Sequence, residues 1–374
     1  RSTSSSETST GEGSRPASVP PPGGPAVSDS LVLGLELAYW QQSILRVVGV
    51  LVAVLLPAGT FVYLFLFKMV SFMQSRLGPM EAGPFGSMQL LAEVGKWLQK
   101  EDIIPERADR VLFKAAPFLV VGTVLLTYMV VPFGPDLHLA NFDTGIFFAL
   151  AVSSIGSLGV LLAGWSSANK YSLIGGLRAA GQLIAYELPM ILAVVGVVIQ
   201  AGTMNMSGIV AAQAHGSMFG IDFLGNPFFI TQFVGFVIFM IAVQAELGQT
   251  PFDMPIAESE LVTGYLTEYS GIRFLLFFIG EFAAAGAFAA IASTLFLGGW
   301  AVPAAWVELD NNLLNLLGPI ILLVKMLLVG GFIFFIRFTY PRFREDQLQK
   351  LAWTVLIPIS LVNILATTVL KVAF

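Results

Sequence analysis

Residues 274–297 read FLLFFIGEFAAAGAFAAIASTLFL and carry a single charged side chain, that of Glu281. A helix of about 20 mostly apolar residues is long enough to cross a hydrocarbon layer about 30 Å thick. The stretch therefore predicts a transmembrane helix that holds one carboxyl group within the membrane.

The rest of the chain has the same character. Hydrophobic residues make up 56% of its 374 residues and charged residues 11%, whereas a soluble domain averages about 25% charged residues. The composition predicts an all-α integral membrane protein with about eight transmembrane helices. The predicted spans are residues 44–67, 111–131, 145–165, 183–201, 228–246, 274–297, 313–336 and 352–373.

The first 30 residues differ from everything that follows. Residues 1–30 are rich in Ser, Thr, Gly and Pro and have little apolar surface to bury. Such a segment cannot offset the entropy lost on ordering. We expect a disordered tail over 1–30 and a single polytopic membrane domain over 31–374.

Basic residues are confined to alternate connectors between the predicted spans. The second, fourth and sixth connectors contain no Lys or Arg. Because cytoplasmic loops carry an excess of positive charge, the odd connectors are predicted to face the cytoplasm and both termini to face outward. The basic residues of the odd connectors are Lys68, Arg76, Lys96, Lys100, Arg107, Arg110, Lys170, Arg178, Arg273, Arg337, Arg342, Arg344 and Lys350.

The first of these connectors contains an amphipathic pattern. Leu90, Leu91, Val94, Trp97 and Leu98 recur at helical spacing between polar residues. The pattern predicts a helix at the membrane interface, or one docked on neighbouring parts of the protein.

The chain has no cysteine, so it cannot supply the thiolates that hold most iron-sulfur clusters. We expect no metal site and no covalently bound cofactor on this chain. If electrons are transferred, a partner subunit carries them.

The connector that precedes residues 274–297 is unusually acidic. Its five acids are 5 of the 24 in the chain. Carboxylates next to hydrocarbon lose solvation, and their pKa rises unless something compensates them. A concentration of acids here suggests proton chemistry. The five are Glu246, Asp253, Glu258, Glu260 and Glu268.

Three acids and one lysine stand out among the charged residues within predicted spans or at their ends: Glu187, Glu246, Glu281 and Lys325. Each needs a partner, a hydrated cavity or a neutral form, because a charge at bilayer depth costs roughly 3 kcal/mol or more. One interpretation is a static ion pair between Lys325 and a glutamate that fixes helix packing. The other is a proton path, favoured because three acids face one base.

Residues 164–182 contain the third connector, which is predicted to face the cytoplasm. The Gly175-Gly176 pair is interpreted as a tight turn. Lys170 and Arg178 give the connector positive charge. With the acidic fifth connector they predict a surface on which a partner docks.

Seven segments, in the same order, resemble the quinone-chamber membrane subunit of respiratory complex I (NADH:quinone oxidoreductase), called the H subunit in bacteria. The resemblance covers nearly everything after residue 40. The segments are Gln74–Pro79, Lys100–Pro105, Ala163–Ser172, Ala185–Pro189, Pro251–Asp253, Glu258–Tyr269 and Pro341–Gln347.

This resemblance implies eight membrane helices in the inner (plasma) membrane, a narrow tunnel for quinone as substrate, and a line of buried acids. It implies a soluble iron-sulfur subunit docked on the cytoplasmic loops, with iron-sulfur clusters and flavin on partner subunits only. Small membrane subunits and antiporter-like subunits are further implied partners, alongside lipid and without nucleic acid. The chain itself would be a non-redox subunit of a proton-translocating enzyme.

Carried over by position, Glu187, Glu246 and Glu281 would belong to the acid line, and Lys325 matches a family lysine. A second group would border the tunnel or its mouth. That group consists of Gln74, Arg76, Asp253, Glu258, Glu260 and Glu268.

The chain departs from the family pattern at several charged positions. The family's Glu-Arg pair reads Leu66-Phe67, its Asn-Arg reads Met80-Glu81, its Thr-Asn-Arg reads Leu247-Gly248-Gln249, and a loop glutamate reads Ile256. Replacing both members of a buried ion pair by apolar groups is often neutral, whereas removing one is costly. We therefore hypothesise a divergent member with a more apolar quinone tunnel and altered coupling.

Two alternatives stay open at this point. A related membrane subunit of an ion-pumping hydrogenase, or of a reductase with another electron donor, would keep the acid line without the tunnel. An independent secondary transporter would show two repeated halves with broken helices, and no such repeat is visible in the sequence.

Overall fold

The computed structural model describes residues 39–215, 226–302 and 311–373. Residues 46–374 form one compact unit and residues 1–45 another. Of the smaller unit, only the helical residues 39–45 are described, so the predicted tail at 1–30 lies outside the described residues.

Every regular element in the described ranges is helical, and none of those residues forms a strand. Two π-helical segments, Val62–Met69 and Leu351–Leu356, interrupt the α-helical order. The α-helices in chain order are α1 (Tyr39–Phe61), α2 (Val70–Met73), α3 (Gln89–Gln99), α4 (Arg110–Met129), α5 (Gly145–Ser166), α6 (Lys170–Ala201), α7 (Met206–His215), α8 (Phe228–Thr231), α9 (Phe233–Glu246), α10 (Glu258–Leu261), α11 (Gly271–Phe296), α12 (Asn311–Thr339), α13 (Glu345–Lys350) and α14 (Ile357–Ala373).

Seven of the helical stretches in the described ranges are long and apolar enough to cross a membrane. They correspond to seven of the eight predicted spans. The remaining prediction is the fifth span, over 228–246. It is divided at Gln232 into the single turn α8 and the 14-residue helix α9. The structure thus confirms an all-α integral membrane fold.

The fourth span begins earlier than the sequence predicted. Helix α6 starts at Lys170, where the side chain of Asn169 accepts a hydrogen bond from the Tyr171 amide at 2.9 Å. The tight turn predicted at Gly175-Gly176 is therefore wrong. Both glycines lie inside α6, where backbone from neighbouring segments leaves no room for a side chain at Gly175 and little room at Gly176. A Cβ on Gly175 would lie 2.7 Å from the Tyr265 amide nitrogen.

The connectors with basic residues meet at one end of the helical bundle, which we call the loop end. There the Asp109 amide donates to the Ser166 carbonyl at 3.0 Å. The connectors without basic residues meet at the opposite end, where Asn205 donates to Asn141 at 2.6 Å. The two groups of connectors that charge distinguished in the sequence are therefore separated in space.

Helix α3 lies against the start of α11. The Trp97 ring stacks on Phe274 with ring centroids 4.4 Å apart, while Leu91 and Leu98 are 65% and 58% exposed. The docked interpretation of the amphipathic pattern thus holds for one face, and the location at a membrane interface stays a prediction. One face docks on the protein, and apolar side chains stay available at its surface.

Helix α11, which contains most of residues 274–297, is the most enclosed of the seven long helices. Its second half is rich in Ala and Gly, and small residues let neighbouring backbones approach closely. At Gly286 the hydroxyl of Tyr128 from α4 occupies the space that a side chain would need. Helix α11 is therefore packed tightly among its neighbours, which fixes the position of the side chains that it carries.

Candidate functional site

Two of the four acids in the loop between α9 and α11, residues 247–270, are paired with arginines from other elements. Asp253 accepts a hydrogen bond from Arg342 at 3.0 Å. Glu260 lies 2.6 Å from Arg178 on α6, which also lies 3.5 Å from Glu345. The arginines hold this acidic loop against α6 and the segment after α12.

The other two acids of the loop have different surroundings. Glu268 accepts a hydrogen bond from the side chain of Asn169 at 2.6 Å. Glu258 begins the one-turn helix α10 and is exposed. The structure therefore ties Glu268 to the start of α6 and leaves Glu258 facing outward.

Burial shapes the electrostatics of this loop. It raises the pKa of the Asp253 carboxyl, and the charge of Glu258 adds to that effect while Arg342 and Arg337 oppose it. Burial likewise raises the pKa of the Tyr269 hydroxyl to about 12. For Tyr265, burial acts together with the charges of Glu281 and Asp253 to raise the pKa well above its usual value.

Glu281 lies inside α11, in the first half of the helix, and belongs to a three-residue network. Its Oε1 atom accepts a hydrogen bond from the Gln249 amide at 2.6 Å and lies 3.4 Å from Nη1 of Arg337. Arg337 also donates to the Oε1 atom of Gln249. The buried glutamine therefore connects the arginine and the carboxylate, and this bridge supplements their direct contact.

Glu187 and Glu246 are surrounded differently. Glu187, in the middle of α6, accepts a hydrogen bond from the hydroxyl of Ser154 on α5. Glu246 ends α9, and its enclosed Oε2 atom lacks a hydrogen-bond partner among the described residues. The two carboxyl groups are close enough to interact electrostatically. Neither forms an ion pair with a described lysine or arginine.

Lys325, in the middle of α12, binds backbone carbonyls. Its ammonium group donates to the carbonyl oxygens of Leu297, Gly299 and Ala301 at 2.7–2.8 Å. These groups follow the C-terminal end of α11, where the helix dipole favours a cation. The static Lys325–glutamate pair considered from the sequence is absent among the described residues. Leu297 follows α11 and lies 16 positions after Glu281, a distance of about 24 Å along the helix axis.

An apolar cavity of about 330 Å³ lies between the end of α1 with its π-helical continuation, α3, and α11. Leu66 and Phe67 of the π-helical segment contribute to its wall, as do Trp97 of α3 and Phe282 of α11. Among the described lining residues only Glu93 is charged, and its carboxylate is paired with Lys96. A cavity of this kind suits a flat, largely apolar molecule.

The remaining predicted site residues lie on the surface of the described chain. Arg76 donates to Gln74 at 2.9 Å in the exposed turn after α2. Lys170 is exposed at the start of α6 and lies over the ring of Tyr171. Arg178 binds Glu260 and Glu345 within the chain, and its role in docking a partner stays a prediction.

Sequence reasoning missed three residues of these networks. Arg337 was considered only as a topology signal, Gln249 only as a departure from a family pattern, and Ser154 was not considered. The sequence does contain a signal for Arg337, because it ends a long apolar helix one turn before the motif at 341–347. For Gln249 and Ser154, only the spatial neighbours reveal the contact.

Comparison with known proteins gives consistent results. The family model described as NADH dehydrogenase matches residues 45–368. The H subunit of NADH-quinone oxidoreductase from Brevibacillus brevis is 43% identical over 319 residues, which cover 85% of this chain and 90% of the relative. The H 2 subunit of NADH-quinone oxidoreductase from Syntrophobacter fumaroxidans is 42% identical over 328 residues, 85% of this chain and 92% of the relative. The H subunit from Bacillus thuringiensis subsp. konkukian is 42% identical over 309 residues, 82% and 87% respectively.

These matches confirm the resemblance drawn from the sequence motifs. They extend over nearly all of the helical region described above. The chain therefore belongs to the NADH dehydrogenase family.

Proposed function

We propose that the chain is the non-redox membrane subunit of a proton-translocating NADH:quinone oxidoreductase. In this proposal it binds quinone in the cavity beside α11 and passes protons along Glu281, Glu246 and Glu187. The names of its relatives support the overall activity. The arrangement of cavity and acids supports the division of roles within the chain.

One observation carries the proposal. Helix α11 contributes Phe282 to the cavity wall and the preceding residue, Glu281, to the network with Gln249 and Arg337. Consecutive helical residues point about 100° apart, so one helix separates the cavity from the first acid. A change of charge in the cavity would act on Glu281 across a single helix, through a medium of low dielectric constant.

The chemistry of the cavity fits a quinone with an apolar tail. Leu66 and Phe67, which stand where the family has a charged pair, both line it. Their place in the wall supports the hypothesis of a more apolar tunnel in this member. Gln74 and Arg76, in the turn that follows the same helical stretch, are the proposed residues at the tunnel mouth.

The loop end is the proposed docking surface for an iron-sulfur partner subunit. It combines the exposed Lys170 and Glu258 with a loop held in place by arginines. Electrons would reach quinone from that partner, since this chain supplies no cysteine. The helices would then lie in the plasma membrane, and the loop end would face the cytoplasm.

The proton path would run from Glu281 towards the unpaired acids and on to neighbouring membrane subunits. Glu246 and Glu187 interact with each other, so they would form consecutive members. Lys325 stays a predicted member at the opposite end of α11. Altered coupling between quinone reduction and proton transfer also stays a hypothesis. The number of protons moved per electron tests it.

A bulky side chain in the cavity tests the quinone site. Leu66→Trp would fill part of the space, so quinone reduction by the purified complex should fall, or the quinone KM rise, roughly tenfold. Leu64→Trp is the matched control, because Leu64 lies in the same π-helical segment but is 37% exposed and does not line the cavity. Equal quinone kinetics in the two variants, with normal assembly, would contradict the proposal.

A further inference from the structure

The hydroxyl of Ser154 is placed to serve the proposed proton path from a second helix. Ser154 lies on α5, and its Oγ atom donates to the Glu187 carboxylate on α6. Both residues are only partly buried within the described chain. The contact is therefore a polar bridge between two membrane helices rather than a contact within one of them.

The two helices approach closely enough for so short a side chain to reach across. A Cβ on Gly164 of α5 would lie 2.6 Å from the Ser172 carbonyl of α6 and 2.9 Å from the Cα of Gly176. Glycine at these positions lets the backbones meet. Ser154 and Glu187 lie farther along the same antiparallel pair, so the packing at the glycines brings them together.

Ser154 has a second acceptor on its own helix. Its Oγ atom also lies 3.0 Å from the Leu150 carbonyl. A serine hydroxyl carries one hydrogen and two lone pairs. It can therefore donate to an ionised Glu187, or it can turn to Leu150 and accept a hydrogen bond from a protonated Glu187.

This exchange leaves neither the hydroxyl nor the carboxyl group without a partner in either state. An unpaired polar group in a low-dielectric region costs about 1 to 3 kcal/mol, and that cost would oppose each arrival or departure of a proton. Because the Ser154 hydroxyl can donate to the Leu150 carbonyl when Glu187 is protonated, this cost is avoided. We propose that Ser154 is a positioning residue for Glu187 and satisfies the Glu187 carboxyl group in both protonation states. The inference rests on the proposed function.

The neighbouring serine supplies a matched control. Ser153 is on the same helix, is similarly buried and also donates to the Leu150 carbonyl, at 2.8 Å. It has no contact with Glu187 among the described hydrogen bonds. Ser153→Ala and Ser154→Ala thus remove the same atoms from adjacent positions.

The test uses the intact complex in proteoliposomes and measures protons moved per electron alongside the rate of quinone reduction. Ser154→Ala should lower the proton-to-electron ratio about threefold to tenfold, the effect expected for one lost hydrogen bond. Ser153→Ala should leave the ratio unchanged. Ser154→Thr, which keeps the hydroxyl, should restore most of it.

A spectroscopic measurement separates positioning from a general packing effect. The infrared carboxyl band that Glu187→Gln abolishes should shift in Ser154→Ala, because the protonated carboxyl group loses the hydrogen bond that it donates to the serine. It should stay in place in Ser153→Ala.

An unchanged ratio and an unmoved band in Ser154→Ala would overturn the inference. Equal effects of the two alanine variants would also overturn it. If the wild-type complex shows no quinone-coupled pumping, the proposed function itself fails.

Discussion

The acids at the loop end and the acids inside the bundle are held in opposite ways. Asp253 and Glu260 are each bound by an arginine. Glu187 and Glu246 have no cation within ion-pair distance among the described residues, and Glu187 relies on a serine. The same side-chain chemistry thus occurs in two different electrostatic settings.

This difference separates fixed charge from mobile protons. An arginine beside a carboxylate favours its charged form, so the pair can fix a loop. At Asp253 burial outweighs this effect, and the pKa is still raised. A carboxyl group in a membrane without a counter-ion gains from taking up a proton, because an isolated charge there is costly. The loop acids are therefore expected to contribute structure, and the interior acids proton transfer.

Glu246→Gln gives the largest expected effect, because glutamine keeps the shape but cannot carry a proton. Protons moved per electron should fall roughly tenfold or more, while the complex assembles normally. Glu260→Gln is the matched control at the loop end, where the acid is paired with Arg178 and half exposed. If the two variants pump equally well, the contrast between the regions is lost.

Arg337→Met should instead affect stability, because it leaves Glu281 without its cation. A partly buried pair with one member removed is expected to lose about 2 kcal/mol of unfolding free energy. Combining the substitution with Glu281→Gln should recover part of this loss. A double-mutant cycle on the thermal unfolding of the complex measures the recovery, and strictly additive effects would show that the pair is not a unit.

Asp253→Asn should have the smallest effect, and it depends on pH. Burial raises the pKa of Asp253 in the folded protein, so the folded state takes up a proton more readily than the unfolded state. Wild-type stability should therefore rise relative to the variant as pH falls from neutral through that raised pKa. At neutral pH the two should differ by about 0.5 kcal/mol or less. A difference in unfolding midpoint that does not change with pH would contradict the assignment.

Much of the fold could be predicted from the sequence. Apolar runs identified the seven long helices, and basic residues separated the two sets of connectors, since both signals reflect the bilayer directly. The start of α6 was missed because glycines that permit close packing look like turn residues in a sequence. The division of the fifth span at Gln232 was not predicted from the sequence.

The candidate site was only partly predictable. Single charges in apolar runs identified Glu187, Glu246, Glu281 and Lys325 as residues needing a partner, because such charges are costly. Which partner each one has depends on helix packing, and the sequence does not encode that locally. Lys325 shows this most clearly, since it binds carbonyls at the end of α11 rather than any of the described acids.

The central claim is that the unpaired interior acids change protonation when quinone is reduced. Infrared difference spectra of the complex, recorded on quinone reduction, report carboxyl protonation directly. We expect carboxyl bands in the wild-type spectrum, one lost in Glu246→Gln, another lost in Glu187→Gln, and both kept in Glu260→Gln. Identical carboxyl bands in the wild type and in the two interior variants would contradict the account.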